Sequence, residues 1–315
     1  MAPKLLITRS MPGTVVTRAR TRFDVTWRDE PVPLTPADLR AALRDYDAIL
    51  PTLGDLFRAE VFADVPGARA KILANFGVGY NHIDTVAAKA AGLAVTNTPG
   101  AVTDATADIA LTLILMTARR AGEGERLLRK GAWTGWHPVQ MLGMHVTGKR
   151  LGIIGMGRIG QAIAKRCHFG FGMEVVFHNR STVALDFAAQ VPFAEALAAD
   201  IVVIAVPGSA ETRHLINAQA LAQMQPHALL INISRGDVVE QSALVTALQS
   251  RQIAGAGLDV YEFEPKVSPA LSAMENVTLL PHLGTAALEV REAMGMMAVD
   301  NLFAHLDGRP LPNAV

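Results

Sequence analysis

The sequence predicts an α/β protein built from two doubly wound parallel-sheet domains. Three observations lead there. Short runs rich in Ile, Val and Leu alternate with helix-patterned stretches along the chain, as strand-helix-strand units require. A glycine-rich turn directly follows one such run and opens a helix, in "RLGIIGMGRIGQAIAKR". The chain has 315 residues, half of them apolar, which is enough for the cores of two ordinary domains.

In order, the expected strands of the first block are "KLLIT", "AIL", "KILANF" and "LAVTN". They are short and apolar on both faces, as strands buried in a parallel sheet are. The block ends near "NTPGA", and a long helix is predicted from Thr103 to Ala121, apolar nearly all round and therefore expected to be buried on every side, either between domains or against a partner subunit. A Trp-rich loop, "GAWTGWHPVQ", leads to the second block: "RLGIIG", "EVVFH", "IVVIAV", "ALLINIS", "GAGLDV" and "VTLLPH". A last helix is expected from about Thr285 to His305, ahead of the tail "GRPLPNAV". That tail has no strand of its own to join in the second block, so it is expected back against the first domain. No solenoid-length repeat or low-complexity segment interrupts this order.

Lys plus Arg equals Asp plus Glu, 29 against 29, which argues against a protein held to nucleic acid or to a membrane surface by a basic face. Neutrality suits an enzyme of small molecules. Cys167 is the single cysteine, so no intramolecular disulfide and no cysteine-based metal site is expected, and the thiol is read as buried and inert. "MAPKLLITRS" has too short an apolar run for a signal peptide, and "IALTLILMTA" is about half the length needed to span a bilayer. A cytoplasmic protein is expected.

Gly155, Gly157 and Gly160 form G-x-G-x-x-G between strand and helix. In that context the motif has a mechanism: a tight turn, close backbone approach to a pyrophosphate, and a helix N-terminus aimed at the anion. An NAD-preferring site carries an acid at the end of the next strand, about 20 residues on, where it receives the ribose hydroxyls and repels a 2′-phosphate. Here the strand closes as "VVFHNRS", Val175 to Ser181, with no acid. Arg180 is placed to pair with a 2′-phosphate, and Asn179 and Ser181 to supply neutral donors. The alternative is a solvated arginine at a strand end. NADP(H) is therefore expected over NAD(H), with NAD(H) still possible.

Three polar residues stand at later strand ends, where ligands bind in open parallel sheets. Arg235 follows "ALLINIS", Glu264 lies in "LDVYEFEP", and His282 ends "VTLLPH" before Leu283 and Gly284. A guanidinium holds a carboxylate bidentately, an imidazolium protonates a forming alkoxide, and a carboxylate orients that imidazolium. The set is complete for reducing a 2-keto acid. Asp259 and Glu262 compete with Glu264 for the third role.

"VPGSAETRHLINAQALAQMQPHALLINISRGDVVEQSAL", "AGLDVYEFEP" and "PHLGTAA" resemble the D-isomer-specific 2-hydroxyacid dehydrogenase family, and "NFGVGYNHID" and "GMGRIGQAIA" match its pattern in order. The resemblance implies Arg235 as substrate arginine, Glu264, immediately before the proline, as partner acid and His282 as general acid. Asp259 then belongs to the cofactor side. It implies a Rossmann cofactor domain, residues 99–285, inserted into a flavodoxin-like substrate domain made of 1–98 and 286–315. In the latter, the Val78 and Gly79 amides form an anion nest for the substrate carboxylate, and His82 is read as structural. The resemblance also places Thr103, Arg158, Ile159, Val206, Pro207, Ile233, Ser234 and Gly284 at the cofactor.

"VFHNRS" is similar to the segment of the NADPH-preferring glyoxylate and hydroxypyruvate reductases of that family. "GAWTGWHP" looks like the stretch by which they present a tryptophan to the neighbouring subunit, so Trp136 or Trp133 would restrict the pocket in a homodimer. Ordinary burial of both indoles is the alternative. The expected activity is reduction of glyoxylate or hydroxypyruvate. Two alternatives stand beside it: another 2-keto acid such as 2-ketogluconate, and a non-catalytic nucleotide-sensing module like the corepressors that share the fold.

Overall fold

The computed structural model describes residues 2–315. The chain divides into two units: one runs up to Val102 and resumes at Ala286–Val315, the other is Thr103–Thr285. The first changeover lies a few residues beyond the expected one at 98.

The first unit opens with β1 (Lys4–Ile7), α1 (Gly13–Arg20), β2 (Asp24–Trp27), α2 (Pro36–Asp45), β3 (Ala48–Leu50), α3 (Ala59–Ala63), β4 (Ile72–Ala74), α4 (Thr85–Ala90) and β5 (Ala94–Thr96). Its five strands are all parallel, in the order β2-β1-β3-β4-β5, a doubly wound sheet of flavodoxin-like order. The central strands are buried throughout, which explains their unbroken apolar runs. β2 escapes the apolar-run criterion because it lies at the edge and alternates exposed with half-buried residues. α2 starts at a capping box between Thr35 and Asp38.

The second unit contains α5 (Thr103–Ala118), α6 (Ala121–Arg129), β6 (Arg150–Ile154), α7 (Arg158–Phe171), β7 (Glu174–His178), β8 (Ala188–Gln190), α8 (Phe193–Leu197), β9 (Ile201–Ile204), α9 (Ala218–Leu221), β10 (Leu229–Asn232), α10 (Gln241–Gln249), β11 (Gly255–Leu258), α11 (Pro269–Ala273) and β12 (Val277–Leu279). Seven parallel strands lie in the order β12-β11-β10-β9-β6-β7-β8. The order reverses at β6, and ligands bind at the carboxyl ends of strands beside such a switch point. Cys167 is buried in this unit, and burial pushes its thiol up to about 12.

The helix expected from Thr103 to Ala121 ends at Ala118, and a second helix, α6, begins at Ala121. Arg120 adopts a left-handed φ of 54° between them, and its guanidinium turns back onto Glu123. Nor is α5 buried on every side within the subunit. Ala107, Ala110, Leu113, Ile114 and Ala118 enter the core with Leu151, Ile153 and Ile231, while Asp108, Thr112 and Leu115 stay exposed. The composition is apolar around the axis, but only one side of this helix meets the sheet.

The chain returns to the first unit with α12 (Leu288–Leu306). Ala298, Val299, Leu302 and Phe303 complete the core around Leu5, Ile7 and Val15. The last residues pair beside β5, where the Val315 N–H donates to the Val95 carbonyl. Among the described residues no helix is long and apolar enough to cross a membrane.

Candidate active site

β6 ends in the glycine turn, whose three glycines do different work. Gly155 has φ +100°, and a Cβ there would lie 2.8 Å from the Ala205 backbone. A Cβ on Gly160 would lie 2.2 Å from the Gly155 carbonyl oxygen, so these two are demanded by the turn itself. At Gly157 a Cβ would meet nothing within 4 Å, and that residue is exposed. Open space therefore lies before the first turn of α7, which has no side-chain cap. Arg158 and Ile159 begin that helix. Backbone N–H groups at an uncapped helix start, reached over a glycine, fit a dinucleotide pyrophosphate.

The end of β7 is tied to this turn. Asn179 Oδ1 accepts the Met156 N–H at 3.1 Å, and its Nδ2 donates to the Ser181 carbonyl and Oγ at 3.0 Å each. Asn179 thus holds the turn through both ends of its amide. Gln190 Nε2 adds bonds to the carbonyls of Asn179 and Ser181. Arg180 projects from this braced segment and meets Glu211 at 2.5 Å. Beyond β9, Thr212 Oγ1 donates to the Pro207 carbonyl at 2.8 Å and accepts the Ser209 N–H, which shapes the loop that follows Val206.

At the end of β10, the buried Asn232 folds the chain that carries Arg235. Its Oδ1 accepts the Ser234 N–H and Oγ at 3.0 Å each, and its Nδ2 donates to the Arg235 carbonyl at 2.9 Å. Ile233 and Ser234 are buried beneath this turn. Gly236 permits the close pass that follows, since a Cβ there would lie 1.8 Å from the Tyr261 carbonyl carbon. Burial lowers the pKa of the Arg235 guanidinium, against the nearby charges of Glu264 and Asp237; an arginine still remains a cation.

His282 takes a left-handed φ of 55°, and Asp259 explains how that is held. The Asp259 carboxylate accepts the Leu283 N–H at 2.6 Å and the Gly284 N–H at 2.8 Å, while its carbonyl accepts the His282 N–H at 2.9 Å. Thr106 Oγ1 donates to the Gly284 carbonyl. Burial raises the Asp259 pKa although these N–H groups and His282 pull it down. With both oxygens engaged, Asp259 braces the histidine turn, a role that spacing alone did not reveal.

His282 Nδ1 lies 3.0 Å from Glu264 Oε2, and the Tyr261 N–H donates to Glu264 Oε1 at 3.0 Å. Burial pushes the Glu264 carboxyl up, but the bond with and charge of His282, the Tyr261 N–H and the Arg235 charge together bring it below the ordinary carboxylate value. The three candidate acids are thereby separated. Glu262 pairs with His214 at 2.7 Å and accepts the Gln241 N–H, leaving Glu264 to His282. The second unit thus places Arg235, Glu264 and His282 at the carboxyl ends of β10, β11 and β12. A cation, a carboxylate and an imidazole in this order can bind an anion and move a proton.

In the first unit, the loop after β4 is pinned through its carbonyls. Asn75 Nδ2 donates to Gly77 and Gly79, and Asn97 Nδ2 to Val78. His82 Nε2 sits 3.0 Å from Asn75 Oδ1 and is buried, a structural part. Among the described residues neither the Val78 nor the Gly79 N–H has a backbone acceptor, as an anion nest requires. Trp133 and Trp136 are 51% and 79% exposed, so ordinary burial of the two indoles within this chain does not occur. Thr103 opens α5, half-buried.

Residues 111–284 match the NAD binding domain of the D-isomer specific 2-hydroxyacid dehydrogenases. The chain is 43% identical over 325 residues to a glyoxylate reductase of Thermococcus onnurineus, covering 100% of this chain and 96% of that one. It is 41% identical over 324 residues to a glyoxylate reductase of Pyrococcus furiosus, with the same coverage. Among solved structures, the NADPH-dependent glyoxylate/hydroxypyruvate reductase of Sinorhizobium meliloti, in complex with NADP and malonate, superposes with a TM-score of 0.89 at 36% identity, covering 100% of this chain and 97% of that one.

Proposed function

Because the chain belongs to the D-isomer specific 2-hydroxyacid dehydrogenase family, we propose that it reduces small 2-keto acids, glyoxylate to glycolate and hydroxypyruvate to D-glycerate, with NADPH as the preferred reductant. The class of reaction, oxidoreduction with a nicotinamide cofactor, follows from membership. The observation that carries the residue assignment is the His282–Glu264 bond at the strand ends that also bear Arg235.

In this reading the glycine turn and the start of α7 hold the cofactor pyrophosphate, and the bound dihydronicotinamide supplies a hydride to the substrate carbonyl carbon. Arg235 holds the substrate carboxylate; the Val78 and Gly79 amides of the first unit are read as an anion nest of the kind that takes a carboxylate. Glu264 accepts at Nδ1 of His282, which leaves Nε2 to carry the proton given to the carbonyl oxygen. Asp259 keeps the histidine backbone in the conformation that presents that nitrogen. NADPH is favoured because β7 ends in Arg180 without an acid. A homodimer is proposed from the apolar side chains left exposed on one stretch: Leu115, Leu128, Trp133, Trp136, Val139 and Leu142.

The test is the rate of NADPH and NADH oxidation at matched concentrations with glyoxylate, hydroxypyruvate and longer keto acids, 2-ketogluconate among them. Faster turnover of the two small acids with NADPH is expected. An NADH preference would remove the role given to Arg180, and a preference for a longer acid would overturn the substrate assignment.

A further inference from the structure

Arg180 and Glu211 form an ion pair at 2.5 Å with side chains 82% and 74% exposed. Neither contributes to a core, so the contact is not a support of the fold. Its position in the sheet is informative. Arg180 follows β7, Glu211 follows β9, and β6 lies between those strands. The pair therefore bridges across the carboxyl end of β6, over the side of the glycine turn where the adenosine half of a dinucleotide belongs. Both anchors are braced, Arg180 by the Asn179–Ser181–Gln190 bonds and Glu211 by the Ser209–Thr212 turn.

We propose that Glu211 is a specificity-determining residue that moderates the cofactor preference set by Arg180. This rests on the reading of Arg180 as the residue that receives the 2′-phosphate. A 2′-phosphate and the Glu211 carboxylate compete for one guanidinium, so NADPH binds by exchanging partners and leaves Glu211 beside a new negative charge. NADH brings a neutral hydroxyl. Its binding leaves the ion pair intact and gives the hydroxyl a carboxylate acceptor, the group that the end of β7 itself lacks. Glu211 thus weakens NADPH binding and supports NADH binding.

The experiment is fluorescence titration of NADPH and NADH into the purified protein without keto acid, for the wild type, Glu211→Gln, Arg180→Ala and the double variant. Glu211→Gln should tighten NADPH by about two- to fivefold, the range of an exposed ion pair, and should not tighten NADH. The gain should shrink in high salt and vanish in the Arg180→Ala background. An unchanged NADPH-to-NADH ratio in Glu211→Gln, or a change that persists without Arg180, overturns the proposal. Arg180→Ala reports separately on the underlying reading: loss of the NADPH advantage upholds it, and an unaltered ratio removes it together with the role of Glu211.

Discussion

His282 and Glu264 are joined by a 3.0 Å contact between Nδ1 and Oε2, and the other oxygen of that carboxylate is fixed by the Tyr261 N–H. A carboxylate held at both oxygens cannot swing away from the imidazole, so ring orientation and tautomer are set before a substrate arrives. The backbone of His282 is held independently by Asp259.

Removing the imidazole should therefore damage chemistry and spare cofactor binding. His282→Ala is expected to lower kcat by about a hundredfold or more, the usual contribution of a positioned acid, while the NADPH dissociation constant stays close to that of the wild type. Steady-state rates with hydroxypyruvate and a fluorescence titration check the two halves. Near-normal turnover would show that His282 is not the acid.

Glu264 should also be visible in acid stability. Its folded-state pKa lies below the ordinary value, so between the folded and unfolded values the unfolded chain binds the extra proton. The stabilisation is complete above the unfolded value, about 4.3, and is lost as pH falls through the folded one. The wild type should be more stable than Glu264→Gln at neutral pH, and that gap should narrow below about pH 4.3. Urea midpoints of both proteins from pH 3 to 7 measure it; a gap independent of pH would contradict the assignment.

The glycines of the turn should separate folding from binding. Gly160→Ala must push against the Gly155 carbonyl and should cost about 1–3 kcal/mol, as overpacking does. Gly157→Ala meets open space and should change cofactor-free stability by less than about 0.5 kcal/mol, yet weaken NADPH binding. Denaturation without cofactor beside a titration with it distinguishes the two; equal binding by Gly157→Ala would mean that no phosphate approaches there.

Light scattering should return a dimer. Leu115→Arg, on the exposed side of α5, should shift it toward monomer without unfolding it, because that side chain is not part of the core. A wild-type monomer at micromolar concentration would remove the dimer.

Much of the architecture was legible because parallel strands buried on both faces leave unbroken apolar runs, and most of the strands announce themselves that way. β2 and β8 do not, since edge strands keep polar residues. The break at Arg120 was hidden for a different reason: nothing in "TARRAG" forbids a helix locally, and the left-handed residue is held there by the Glu123 contact and the chain that follows. Of the candidate site, Arg235, His282 and the three glycines stood out by residue type and position, whereas Glu264 was separated from Asp259 and Glu262 only by the family resemblance. The bracing part of Asp259 could not be read that way, because it reaches Leu283 and Gly284 on another strand end; Asn232 and Tyr261 act on near neighbours in the chain, but through a backbone geometry that residue type does not reveal.

The amino-acid sequence by itself determined the α/β class, the glycine-rich turn between strand and helix and the residue types at the strand ends, since these depend on local periodicity and on residue type. Tertiary structure decided which acid serves which histidine, that Asn179 holds the turn, and that Arg180 faces Glu211. Those are questions of distance between side chains brought together by strand order, and hydrogen bonds and charges discriminate over ångströms that no spacing along the chain encodes.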